Sequence, residues 1–126
     1  MADLTYPKSV RLHHRKAFQE LLDKGVSHYN SVFKVIWRLR EDDAAEGCRF
    51  AVSVPKRTFK RAVKRNLLKR RTREAIRLNR ALLPEGFAAD FLFFYRAAEV
   101  CDYTTVEKAV VEAFEAIAAK DAPKDE

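Results

Sequence analysis

Glycine and cysteine are scarce in this chain, with three and two among 126 residues. So little glycine excludes a collagen-like or glycine-rich disordered chain, and 48% hydrophobic residues describe a sequence that folds. Cys48 and Cys101 stand far apart with no second cysteine beside either, which removes the paired-thiolate spacing of a zinc site. Both read as ordinary buried or half-buried thiols of a reducing compartment. No apolar stretch approaches the roughly twenty residues of a membrane span. The opening MADLTYPKSV carries an acid and a proline where a secretory signal needs an apolar run. The expectation is a soluble, cytoplasmic protein of one domain over residues 1–126, with an irregular arm at 1–10 and a frayed tail at 119–126.

Acid is what the middle of the chain lacks. From Lys56 to Arg80 it reads KRTFKRAVKRNLLKRRTREAIRLNR, twelve Lys or Arg and one acid, Glu74. The net charge of +7 understates this focus, because residues 99–126 hold eight acids against three lysines. On a 3.6-residue helix Arg65, Lys69 and Arg73 follow one another at i, i+4 and i+8, with Asn66, Arg77 and Arg80 beside them. Val63, Leu67 and Leu78 fall opposite, flanked by Leu68 and Ala75, so one side is expected to pack and the other to carry charge. Like charges four apart repel by roughly 0.2–0.5 kcal/mol per pair, a cost that a polyanion offsets. Solvated helices interleave acids with bases, and this one does not. Nucleic acid is the partner class implied.

Elements on either side follow from spacing. Phe18, Leu21 and Leu22 predict a short amphipathic helix over His14–Lys24, stopped by Gly25. VFKVIWRL (32–39) alternates, with Phe33, Val35, Trp37 and Leu39 on one face and Lys34, Ile36 and Arg38 on the other. CRFAVSV alternates again through Phe50, Val52 and Val54 before Pro55, and the acidic link 41–47 between the two runs predicts an antiparallel hairpin. The basic helix occupies about 59–80, ended by a turn at Pro84-Glu85-Gly86. FLFFY (91–95) is a continuous apolar run, which fits a strand covered on both faces. Thr104 and Glu107 read as a capping box ahead of a stripe of Val106, Ala109, Val110, Ala113, Phe114 and Ile117. The sum is an α+β sandwich, with a βαβ crossover through the basic helix that is right-handed by default.

Several residues have two readings. The Asn66 amide suits an RNA hydroxyl or phosphate, and equally a neighbouring backbone carbonyl. Phe18 suits the core, and also a platform for an unpaired base, with the Lys34, Ile36 and Arg38 face extending it and Lys56 and Arg57 flanking it. His13 and His14 are adjacent and so do not face one another on a helix, and His28 falls in a connection, which argues against histidine acid–base cleavage. Glu41, Asp42, Asp43 and Glu46 read as a solvated turn, since nothing rigid converges them on a metal. A helix-turn-helix reading fails because no helix precedes the basic one at the required distance.

Arg49-Phe-Ala-Val-Ser-Val-Pro-Lys-Arg57, then Ala62-Val-Lys-Arg-Asn66, then Lys69-Arg70 and Arg73-Glu74 resemble the signature of the bacterial ribonuclease P protein subunit. Arg11-Leu12, Phe18-Gln19, Gly25 and Asp90 fall in matching order, so the resemblance spans about residues 8–118. It implies a two-layer α/β sandwich in the order α-β-β-β-α-β-α, with a left-handed crossover that replaces the default and is shared with a ribosomal-protein domain. It also implies a non-catalytic subunit that binds a catalytic RNA and the single-stranded 5′ leader of precursor tRNA, while the RNA cleaves with Mg2+. By resemblance Arg65, Asn66, Lys69, Arg70 and Arg73 contact the catalytic RNA, and Phe18, Leu22, Ile36, Lys56 and Arg57 line the leader cleft. No residue of the chain is assigned to catalysis or to a metal, and no membrane or DNA partner is implied. Leu67 stands where a third base is usual, Ala51 where glycine is common, and Leu22 and Ile36 where aromatics are frequent, which leaves stacking mainly to Phe18. Rival expectations are a ribosome-associated or general single-stranded RNA-binding module, and a protein-only nuclease using His13, His14 or the acidic link.

Overall fold

The apolar run before Tyr95 lies at the centre of a four-stranded sheet. The computed structural model describes residues 15–39, 48–83 and 89–121, with side chains described from 19 to 119 within those ranges. In chain order these are α1 (Arg15–Lys24), β1 (Val26–Tyr29), β2 (Phe33–Leu39), β3 (Arg49–Ser53), α2 (Ala62–Asn79) with a 3-10 turn at Arg80–Leu82, β4 (Ala89–Tyr95) and α3 (Tyr103–Asp121). The arm at 1–10, His13, His14, the acidic link 41–47, the turn at 84–86, the Phe18 side chain and residues 122–126 lie outside what is described. Residues 119–121, expected to fray, continue α3.

The strands run β1-β2-β4-β3. This corrects the expected hairpin: β2 and β3 are not neighbours, because β4 lies between them, antiparallel to β2 and parallel to β3. Of the two inner strands, β2 and β4, only β4 is largely buried on both faces, with six of its seven residues buried. The hairpin that does form joins β1 to β2, so His28 lies in a strand rather than a connection. Asn30 makes its turn: Oδ1 accepts from the backbone N–H of Val32 at 3.0 Å and Phe33 at 2.8 Å. Its Nδ2 donates to the Ala109 carbonyl at 3.0 Å, which ties the turn to α3. The crossover from β3 through α2 to β4 joins adjacent parallel strands, as expected.

One sheet face carries Phe33, Val35, Trp37, Phe50, Phe91, Phe93 and Tyr95, and α2 and α3 cover it. Phe114 of α3 packs within 5.7–5.9 Å, centroid to centroid, of Phe50, Phe91 and Phe93, and Phe50 stacks on Phe91 at 5.1 Å. Such ring pairs add about 0.5–1.5 kcal/mol each beyond their burial. The predicted α3 stripe is buried throughout. Its cap differs from the expected one: Asp102 accepts from the Thr105 N–H at 2.9 Å, and α3 begins before Thr104. These hydrogen bonds from Thr105 hold the Asp102 carboxyl below its ordinary range.

The other face is crossed by α1. Leu21 is fully buried on Leu92, with Ile36 and Ala51 packed around them. Glu20 accepts from Arg38 at 3.0 Å, and buried Asp90 takes a bidentate pair from Arg49 at 2.8 and 2.9 Å. Gly25 ends α1 where the chain meets β2. A Cβ there would lie 2.5 Å from the Leu21 carbonyl oxygen and 2.6 Å from Ile36 Cγ2.

Gly25→Ala should therefore destabilise the fold by about 1–3 kcal/mol, the range for overpacking, in urea titration. Asp102→Ala should lower the melting temperature at neutral pH. A carboxyl whose pKa is depressed by folding stabilises above its unfolded value and stops doing so as pH falls through the folded one. The gap to wild type should accordingly close on acidification.

Candidate nucleic-acid interface

The packed side of α2 is Leu68, Thr72, Ala75 and Ile76, all buried. That rotates the helix from the expected setting, since Val63 is 78% and Leu78 40% exposed, and Leu67 is half-buried. The physical reason is Thr72, which is polar yet packs because its hydroxyl donates to the Leu68 carbonyl at 2.8 Å.

This rotation divides the basic residues. Arg65 borders the packed side and donates to the carbonyls of Phe59 at 2.8 Å and Lys60 at 2.9 Å, closing the loop that enters the helix. Arg71 donates to the Cys101 carbonyl and fastens α2 to the start of α3. Arg77 pairs with Glu74, and that hydrogen bond holds the Glu74 carboxyl below its ordinary range. Asn66, Lys69, Arg70 and Arg73 are left at i, i+3, i+4 and i+7, which is one outward face. Asn66, Arg70 and Arg73 are exposed and Lys69 is half-exposed. None of these four side chains has a hydrogen bond or ion pair among the described residues. For Asn66 this removes the alternative of a tie to a neighbouring carbonyl. The structure thus brings together four of the five residues assigned to the basic helix and uses Arg65 structurally.

The helix begins without help. Its N-cap, Arg61, makes no side-chain cap bond, and its first turn holds no acid. The positive end of the macrodipole therefore faces Lys60, Arg61 and Lys64, an arrangement that favours anions nearby.

The cleft residues sort as follows. Leu22 is 46% exposed on α1, one turn beyond Phe18 in the same helix. Ile36 is half-buried beneath Leu21, so it serves as floor for α1 more than as open surface. Lys56 and Arg57 are exposed in the turn after Pro55, which the Phe59 N–H closes on the Pro55 carbonyl at 3.1 Å. Beyond α1 the sheet face stays partly open along one register row, Tyr29, Lys34, Phe94 and Ser53. Sequence reasoning reached Lys34 and missed Tyr29 and Phe94. The tyrosine's signal, an aromatic before an Asn-Ser turn, was present, but the strand carrying it is too short and exposed to show alternation. Among the described residues no three His, Cys, Asp or Glu gather as a metal site, and no helix is long and apolar enough to cross a membrane.

Comparison with known proteins points to one family throughout. A ribonuclease P protein component of Porphyromonas gingivalis is 36% identical over 108 residues, covering 82% of this chain and 79% of the relative. The component of Thermotoga maritima is 35% identical over 83 residues, 66% of this chain and 68% of that one. Among solved structures, the Staphylococcus aureus RNase P protein superposes with a TM-score of 0.72 at 26% identity, over 88% of this chain and 96% of that one. The Thermotoga maritima RNase P protein gives 0.71 at 27%, over 84% and 96%.

Arg65→Ala should cost about 1 kcal/mol of stability, the net worth of its carbonyl bonds at a half-exposed site. A combined Lys69→Gln, Arg70→Gln, Arg73→Gln chain should match or slightly exceed wild type in urea, because it removes repulsion without removing a contact. With an outward, unpartnered basic stripe on α2, a half-open sheet face beside α1, and the family model described as Ribonuclease P matching residues 6–118, the chain belongs to the ribonuclease P protein family.

Proposed function

We propose that this chain is the protein component of a ribonuclease P, an endoribonuclease subunit that binds a catalytic RNA and the single-stranded 5′ leader of precursor tRNA. The observation that carries this is the stripe of Asn66, Lys69, Arg70 and Arg73, outward and without partners, in a chain of this family. In this reading the stripe takes phosphates of the catalytic RNA, and Arg65 supports it by closing the helix entry and adding its charge at the margin. Phe18, Leu22 and the open sheet face receive the leader, with Lys56 and Arg57 at the rim and Ile36 as floor.

The two surfaces lie on opposite sides of the sheet, since α2 covers one face and α1 crosses the other. The turn at Lys56 and Arg57 leads from the end of β3 towards α2, which suits a protein that joins the body of an RNA to its substrate's tail. Held in the cleft on the α1 face, with Lys56 and Arg57 at its rim, the leader is oriented and its phosphate repulsion is screened. Magnesium, bound by the RNA, supplies Lewis-acid chemistry for phosphodiester hydrolysis, and the chain's own part is binding and positioning. The protein acts in the cytoplasm, as one RNA-binding domain.

Binding should weaken steeply with salt. Lys56, Arg57, Lys69, Arg70 and Arg73 have no side-chain partner among the described residues. At about 0.7–0.9 per phosphate they predict a slope of log K against log[salt] of roughly −3.5 to −4.5. Counting Arg65 as a sixth contact moves this to about −4 to −5. The test is reconstitution with a bacterial ribonuclease P RNA and a precursor tRNA. The triple Gln chain, folded and stable, should fail to support cleavage at physiological salt and show a slope shallower by about two to three. Full activity in that chain, or cleavage by the protein with no RNA added, would defeat the proposal. Equal affinity for precursor and mature tRNA would point to a general RNA-binding module.

A further inference from the structure

The register row left open beside α1 is a lane across the sheet, and its far end carries an aromatic residue that none of the leader-cleft assignments uses. Tyr29 ends the edge strand β1, and the residue is 56% exposed. Beside it in register are Lys34, then half-exposed Phe94, then Ser53 at the opposite edge, where the chain turns into Lys56 and Arg57. Adjacent strands are about 4.8 Å apart, so the lane is roughly 14 Å long.

Two cations attend the ring. Lys34 Nζ lies 5.6 Å and the Arg96 guanidinium 5.5 Å from its centroid. The backbone that carries it is pinned. The Arg96 side chain donates to the Asn30 carbonyl at 2.6 Å, the Arg96 N–H donates to the Val32 carbonyl at 2.8 Å, and Asn30 is itself held by α3. An exposed aromatic on a fixed edge contributes little to a core, and this one is placed before any ligand arrives. Placement in advance lowers the entropy cost of binding. Aromatic rings with adjoining cations are the chemistry of single-stranded nucleic-acid grooves, where bases stack on the ring and phosphates meet the charge.

We infer that Tyr29 is a second stacking site for an unpaired base of the leader, reached by RNA that crosses the strands from Lys56 and Arg57 over Phe94, with Lys34 and Arg96 taking a flanking phosphate. This rests on the leader-binding reading above and extends it to the far edge of the sheet. It also supplies stacking that the aliphatic Leu22 and Ile36 do not.

The test uses full-length protein reconstituted with a bacterial ribonuclease P RNA and two precursor tRNAs. One has a leader of about two nucleotides, too short for the lane, and the other of roughly ten, within the span that single-strand grooves accept. Tyr29→Ala should weaken the long-leader substrate roughly 5- to 150-fold, the range that about 1–3 kcal/mol per stacked base represents. The short-leader substrate should change less than about twofold, and Tyr29→Phe should behave as wild type. Tyr29→Leu, which keeps an apolar side chain on the strand, guards against misfolding and should fall with the alanine variant. Unchanged long-leader affinity in Tyr29→Leu, or equal losses on both substrates, would overturn the inference while leaving leader binding intact. Absence of any leader-length preference in the wild type would instead bring down the parent reading, and this one with it.

Discussion

The fold depends on β4 being buried on both faces. Phe91, Phe93 and Tyr95 point into the ring cluster with Phe33, Phe50 and Phe114, while Leu92 points the other way onto Leu21. A strand with these requirements has to be central, and its parallel partner β3 has to be reached by a crossover, since parallel neighbours cannot be joined by a tight turn. That crossover is the basic helix. Its position over the aromatic face follows from β4, and so does its outward presentation of charge. Among the described residues the sheet's second face is crossed by the ten-residue α1 alone, and the register row of Tyr29 and Phe94 lies beyond its reach.

Much of this was legible, and the exceptions have particular causes. A run of five apolar residues bounded by Asp90 and Arg96 announces a central strand with no other information. The pairing of β2 with β3 was misread because nearness in sequence argues for a hairpin, and only the identity of β4 shows that another strand must come between. VSHY escaped notice because an edge strand of four residues, none of them fully buried, has no hydrophobic period to detect. The packed side of α2 was misread for a chemical reason. Val63, Leu67 and Leu78 are apolar but face outward or stay half-exposed, whereas Thr72 is polar and buried once its hydroxyl has found the preceding turn. Asp102 outcompetes Thr104 as the cap, since aspartate is the better cap residue and begins the helix earlier.

At the candidate site the same distinction holds. That a basic surface exists could be read from the missing acids alone. Which bases are available could not, because Arg65, Arg71 and Arg77 differ from Lys69, Arg70 and Arg73 only in what lies opposite them: a loop carbonyl, the start of α3, or Glu74. Family resemblance assigned Arg65 to RNA with the others. Its bonds to the Phe59 and Lys60 carbonyls give it a structural duty, and its loss would loosen the surface as well as remove a charge.

This division explains how the chain tolerates so many like charges. Three guanidiniums are anchored where each bonds an oxygen that the fold already presents, so their charge is partly offset and their bonds contribute to stability. Lys69, Arg70 and Arg73 share one outward face, where water screens them in the free protein and repulsion stays at tenths of a kcal/mol per pair. Were phosphates to replace that water, no internal contact would have to break first. The surface can therefore exchange solvent for a polyanion without a change of fold, and the helix entry at Arg61, uncapped and without an acid in the first turn, adds to the same preference.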